Sequence, residues 1–140
     1  MGIVDDLLAQ PGTYVGVDSH RHHAAKIVVA PLPGGGGVSL DYETFAADHE
    51  PVLAHAEHAV VGRTAGGDAI LVSGHSHADT VAVLREREPG VFVTAGEPSA
   101  FPMAIRIEVP ESGRLVHAWS YGRPGEEPEE RDRAELTRLA

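Results

Sequence analysis

The chain has 140 residues, 42% of them hydrophobic, which suffices for one core or a modest internal cavity, so residues 1–140 are expected to form a single β-barrel domain. A formal charge of −10, with 11 scattered basic residues of which Lys26 is the sole lysine, argues against nucleic acid and membrane as partners, since both need clustered Lys and Arg. With no cysteine there is no disulfide, no thiolate nucleophile and no cysteine-type zinc site. No apolar run approaches the roughly 18 residues of a membrane helix, and the first residues carry Asp5 and Asp6 without a basic stretch. Together these features fit a cytoplasmic protein.

Residues 3–9 predict a short helical turn, ended by Pro11-Gly12 because the proline ring cannot continue it. Alternating segments follow at 13–19, 23–30, 37–45, 52–64, 68–77, 80–85, 91–95, 102–109 and 114–121. They are punctuated by Pro33 to Gly37, Gly66-Gly67, Glu88-Pro89-Gly90, Glu97-Pro98 and Pro110 to Gly113. Short strands joined by hairpin-length loops predict an all-β antiparallel meander of about nine or ten strands. A meander disposes of its two edges most directly by closing into an up-and-down barrel. Residues 127–139 predict a helix: Pro128 suits its first turn, and Glu127/Arg131 and Glu129/Arg133 are spaced as i,i+4 pairs.

Two hairpins allow a closer reading. Glu111-Ser112-Gly113 fits a three-residue loop with Gly113 in the left-handed position. That register sets Ile107 opposite His117, Ile105 opposite Trp119 and Met103 opposite Tyr121, the more apolar face and hence the inner one. Val38, Leu40, Tyr42 and Thr44 similarly share an inner face. Around Gly66-Gly67, a loop of two or four residues places Val60 opposite Ser73 and His58 opposite His75, with His77 diagonal to His58. Glu57 and Arg63, on the reverse face, are costly to bury. This favours His58, Val60, Leu71, Ser73, His75 and His77 as inward-facing.

A barrel lumen so lined is apolar on one side and polar on the other, the composition of a small-molecule site. The expected ligand-binding residues are Tyr42, His58, His75, His77, His117, Trp119 and Tyr121, with a mainly apolar ligand. Three imidazoles can also hold a divalent metal while leaving a position open, which makes His58, His75 and His77 the candidate metal ligands. Without metal, imidazoles near pKa roughly 6.5 can move protons in an isomerisation or cyclisation. Binding barrel, enzyme and fully packed barrel therefore all stay open, as does a homodimer, and no catalytic residue is singled out.

The short N-terminal helix, the opening Gly12-Thr13-Tyr14-Val15-Gly16 and the run of hairpins resemble the calycin group, the lipocalins and fatty-acid-binding proteins and their bacterial relatives. In that group a Gly-x-Trp-x-Gly start is common, and here Tyr14 stands in place of the tryptophan. The resemblance implies a barrel around an apolar ligand. A fainter resemblance is to the haem-binding nitrobindin-like barrels, whose iron ligand is a histidine late in the chain. It would make haem the cofactor and His117 the candidate ligand. Val17 to His23 stands where those proteins carry a longer glycine-rich opening.

Overall fold

The computed structural model describes residues 2–47, 51–94 and 102–140; His49 and the Glu97-Pro98 turn lie outside them. A short helix α1 (Ile3–Leu8) precedes ten strands: β1 (Gly12–Asp18), β2 (Ala24–Pro31), β3 (Gly37–Ala47), β4 (Pro51–Arg63), β5 (Ala69–His75), β6 (Ala82–Glu88), β7 (Val91–Thr94), β8 (Met103–Glu108), β9 (Arg114–Tyr121) and β10 (Glu129–Arg138). Each strand pairs antiparallel with its neighbours in the chain, and β10 pairs with β1 to close the barrel. This all-β meander is the architecture expected from the alternation, and it is compatible with a calycin-like fold. No helix among the described residues is long and apolar enough to cross a membrane.

Alternation assigns one side chain in two to the lumen. Ile27, Val38, Val61, Leu71, Leu84, Phe92, Ile105 and Leu136 are all fully enclosed there. One end of the barrel is plugged by α1, which buries Ile3, Val4 and Leu7 and packs on β2, β3 and β4. The plug is tied down by Asp5 and Arg63 at 2.9 Å, and Gln10 joins it to β1 and to the β8–β9 loop. The Gln10 carbonyl accepts from the Tyr14 hydroxyl at 2.7 Å, and its Oε1 accepts the Gly113 N–H at 2.9 Å.

The structure corrects two expectations. Residues 129–138 are a strand, not a helix. Ala134 and Leu136 are both fully buried and alternate with the exposed Arg131 and Glu135, a period of two. The charges that mimic helical pairing instead pair along one face of the strand, Arg131 with Glu129 at 3.6 Å and Arg133 with Glu135 at 3.5 Å. Pairing β10 on both sides, with β9 and β1, satisfies two rows of backbone groups that would otherwise be open edges. Helix propensity, a few tenths of a kcal/mol per residue, does not compete with that. The seam also depends on Gly16, where an added Cβ would lie 1.9 Å from the Glu135 carbonyl oxygen.

The second correction is the β4–β5 register. The structure pairs Glu57 with His75, Ala59 with Ser73 and Val61 with Leu71, one residue away from the expected alignment. The loop has three residues, Ala65-Gly66-Gly67, with the Thr64 N–H donating to Asp68 O at 2.8 Å and the Gly67 N–H to Thr64 O at 2.9 Å. Gly67 takes φ +92°, which glycine accepts without strain. An odd loop length moves β4 by one residue, so every β4 side chain changes face. His58 and Val60 turn outward, and His55, Glu57, Ala59 and Val61 turn inward. The β8–β9 hairpin keeps the expected register, with Met103 opposite Tyr121, Ile105 opposite Trp119 and Ile107 opposite His117.

Candidate functional site

The end of the barrel opposite α1 is where the inner faces become polar. A concavity of about 710 Å³ opens there, lined by His55, His75, His77, Trp119, Tyr121, Met103, Thr94, Arg21 and Asp132 together with Ala82, Val81 and Val83. The rings interlock. His55 stacks on His77 with centroids 5.0 Å apart, and both His55 and His75 present an edge or face to Trp119, at 5.4 and 4.9 Å. The His77 N–H donates to His75 Nδ1 at 3.3 Å, which holds the turn after β5 against the strand. Burial, foremost, pushes His55 down to about 4, and burial likewise lowers His75. At neutral pH these two rings are therefore uncharged donors and acceptors.

One layer deeper, Glu57 sits 3% exposed between two partners. Its Oε2 accepts the Ser73 hydroxyl at 2.5 Å, and its Oε1 lies 3.2 Å from His117 Nε2. Burial pushes the Glu57 carboxyl up, but the hydrogen bond and charge of His117 and the hydrogen bond of Ser73 outweigh it, so the group ends below its usual range. His117 in turn stacks on Tyr42, with centroids 4.5 Å apart. Desolvation, reinforced by the charges of Asp18, Asp132 and Glu57, raises the Tyr42 hydroxyl, which therefore stays protonated. Ser73 is fully enclosed and donates to a carboxylate rather than to an imidazole, an order that does not activate a hydroxyl nucleophile.

A third group spans the seam. The Asp18 carboxyl Oδ1 accepts the backbone N–H of His20 at 2.9 Å and of Arg133 at 3.3 Å, while its Oδ2 is buried beside Asp132. Desolvation and the neighbouring Asp18 push Asp132 up to about 6, so Asp132 is the member of the pair that protonates first as the pH falls. Arg21 Nε lies 3.4 Å from Asp132 Oδ1, and the Arg21 guanidinium donates to the Tyr121 hydroxyl at 3.1 Å.

Of the residues expected at the site, His75, His77, Trp119 and Tyr121 line the concavity. Tyr42 and His117 lie behind it, each 1% exposed. His58 is on the outer surface, its side chain 66% exposed and hydrogen-bonded to Asp41. The set His58, His75 and His77 is thus not brought together, because the register shift sends His58 to the other face. Among the described residues no group of three or more His, Asp or Glu side chains is arranged to hold a metal ion. His117 does not fit the iron-ligand role implied by the nitrobindin-like resemblance. It does not line the concavity, its Nε2 is engaged by Glu57, and one ring face is covered by Tyr42.

Residues that the sequence reading passed over are His55, Glu57, Asp18, Arg21 and Asp132. His55 and Glu57 share a face with the apolar Ala59 and Val61, a signal of inward orientation that the cost of burying Glu57 overrode. Asp132 was placed on a helix, and its partner Asp18 comes from the other end of the chain. The chain matches no protein-family model, and no curated protein matches it, so the geometry stands on its own.

Proposed function

We propose that the protein is a calycin-like small-molecule-binding barrel, holding a mainly apolar ligand in its open end against a histidine-rich polar patch. The observation that carries this reading is the concavity of about 710 Å³, whose wall mixes apolar and aromatic side chains with a few polar ones. Ligand pockets of roughly 300–1,000 Å³ have this composition. Because α1 buries Ile3, Val4 and Leu7 in the opposite end, the ligand is short and sits in the mouth rather than threading the barrel. Trp119 and Tyr121 supply the stacking wall, and His75 with His77 supplies polar contacts. Removing apolar ligand surface from water contributes roughly 25 cal/mol per Å².

An enzymatic reading ranks second. It draws on the raised Asp132 carboxyl and the uncharged His55 and His75 facing one concavity, a proton donor and two acceptors suited to isomerase- or cyclase-type chemistry.

The binding reading is tested with the neutral apolar dye N-phenyl-1-naphthylamine. Saturable dye enhancement with quenching of Trp119, weakened about ten-fold or more by His75→Ala, is the expected result. No saturable binding of this dye or of a panel of short apolar ligands would defeat the reading.

A further inference from the structure

We propose that the ligand of this mouth is a small organic cation, an ammonium or methylated ammonium on a short aromatic or apolar body. The inference rests on the binding reading above and adds the ligand's charge. Its first support is Trp119, whose indole lines the mouth, since an aromatic face attracts a cation; the neighbouring Tyr121 ring already carries the Arg131 guanidinium 5.2 Å from its centroid. Its second is the buried charge of Asp18, 1% exposed behind Asp132, whose Oδ2 meets no N–H or O–H donor among the described residues other than the Asp132 carboxyl when protonated.

The third support is the charge balance around that pair. Arg21 is the basic side chain lining the concavity; its Nε lies 3.4 Å from Asp132 Oδ1, it also donates to the Tyr121 hydroxyl, and 43% of its side chain is in solvent. Asp18 and Asp132 together with one guanidinium leave a net negative position, charged at neutral pH because Asp132 is raised only to about 6. His55 and His75 do not supply the missing charge, because burial keeps both neutral. An ammonium brings up to three N–H donors, and the Asp132 carboxylate lines the mouth to accept them. A neutral ligand leaves that negative charge unanswered, and an anion meets repulsion.

Trp119 is the chain's single tryptophan, so its emission reports on the mouth. The full-length protein at neutral pH is titrated with phenethylamine, 2-phenylethanol and 3-phenylpropanoate, three probes of similar body and different charge. The amine is expected to bind about ten-fold tighter than the alcohol, with the propanoate weakest. Asp132→Asn should bring the amine down to the alcohol, and Arg21→Gln should tighten the amine about three-fold by freeing Asp132. Circular dichroism establishes that each variant is folded.

An alcohol or propanoate that binds as well as the amine overturns the charge assignment and leaves the binding site standing. So does an amine preference that survives Asp132→Asn, or an Arg21→Gln variant whose amine affinity is unchanged or weaker. The Arg21 arm decides the matter even where Asp132→Asn does not fold. No saturable response to any of the three probes overturns both this inference and the binding reading.

Discussion

The two ends of this barrel are built from the same ten strands and follow opposite rules. At the α1 end, Leu71, Leu84, Phe92 and Ile105 are fully enclosed, and each meets other apolar side chains. At the open end, Tyr42 Oη, His117 Nδ1 and Trp119 Nε1 are buried without a protein hydrogen-bond partner among the described residues. An unanswered buried polar group costs about 1–3 kcal/mol, so the open end spends stability that the closed end supplies. The difference shows a division of labour along the barrel axis: packing at one mouth, unfilled bonding capacity at the other.

The sharpest way to break the comparison is to hollow out the closed end. Leu71→Ala should lower stability by about 3–4 kcal/mol in urea unfolding, while the folded fraction still binds the dye. An equal loss of dye affinity in the folded protein would show that the two ends are not separable. Next comes the buried pair at the boundary. Glu57→Gln should cost about 2–3 kcal/mol in the same assay, because it leaves His117 and Ser73 facing an uncharged amide. A change below about 0.5 kcal/mol would mean that the Glu57 contacts are not formed.

A smaller effect sharpens the contrast through pH. The His55 imidazole is lowered from 6.5 to about 4, so the folded state binds fewer protons than the unfolded chain between those values. Stability from this residue is complete above about pH 6.5 and declines as the pH falls toward 4. Asp132, raised to about 6, works with the opposite sign in the window from 3.8 to 6, being destabilised as the pH rises. Comparing His55→Phe with the unaltered chain cancels the Asp132 contribution. The variant should lose about 1 kcal/mol less stability between pH 7.5 and 5 in thermal melts, after discounting for solvent screening. Parallel pH profiles would refute the burial of this ring. The smallest effect is expected outside the lumen: His58→Ala should change stability by about 0.5 kcal/mol or less and leave dye binding intact. A loss of binding there would place His58 inside after all.

Much of the fold was legible in the chain itself, for reasons that differ by region. The β8–β9 hairpin declared its register because Gly113 selects one loop geometry and because Ile105 and Ile107 contrast with Arg106 and Glu108 across the strand. The inward Tyr42 followed from Val38 and Leu40 by the same logic. β4 offered no such contrast, since each of its faces mixes apolar with polar residues. The deciding consideration was the cost of burying Glu57, and that cost is met by Ser73 and His117, partners on other strands that local pattern does not reveal. β10 misled because charges spaced for a helix also fit the outer face of a strand. The Asp18–Asp132 pair was hidden for a simpler reason: only barrel closure brings β1 to β10.

The loop between β4 and β5 works as a parity element. With three residues between Thr64 and Asp68, His55, Glu57, Ala59 and Val61 are the β4 side chains that reach the lumen. Losing or gaining one codon there, with pairing otherwise kept, would exchange the whole inner lining of that strand, drawing His58 and Val60 in and expelling His55 and Glu57. A change of two codons would preserve it. Among natural variants of this barrel, insertions at that position should therefore come in even steps.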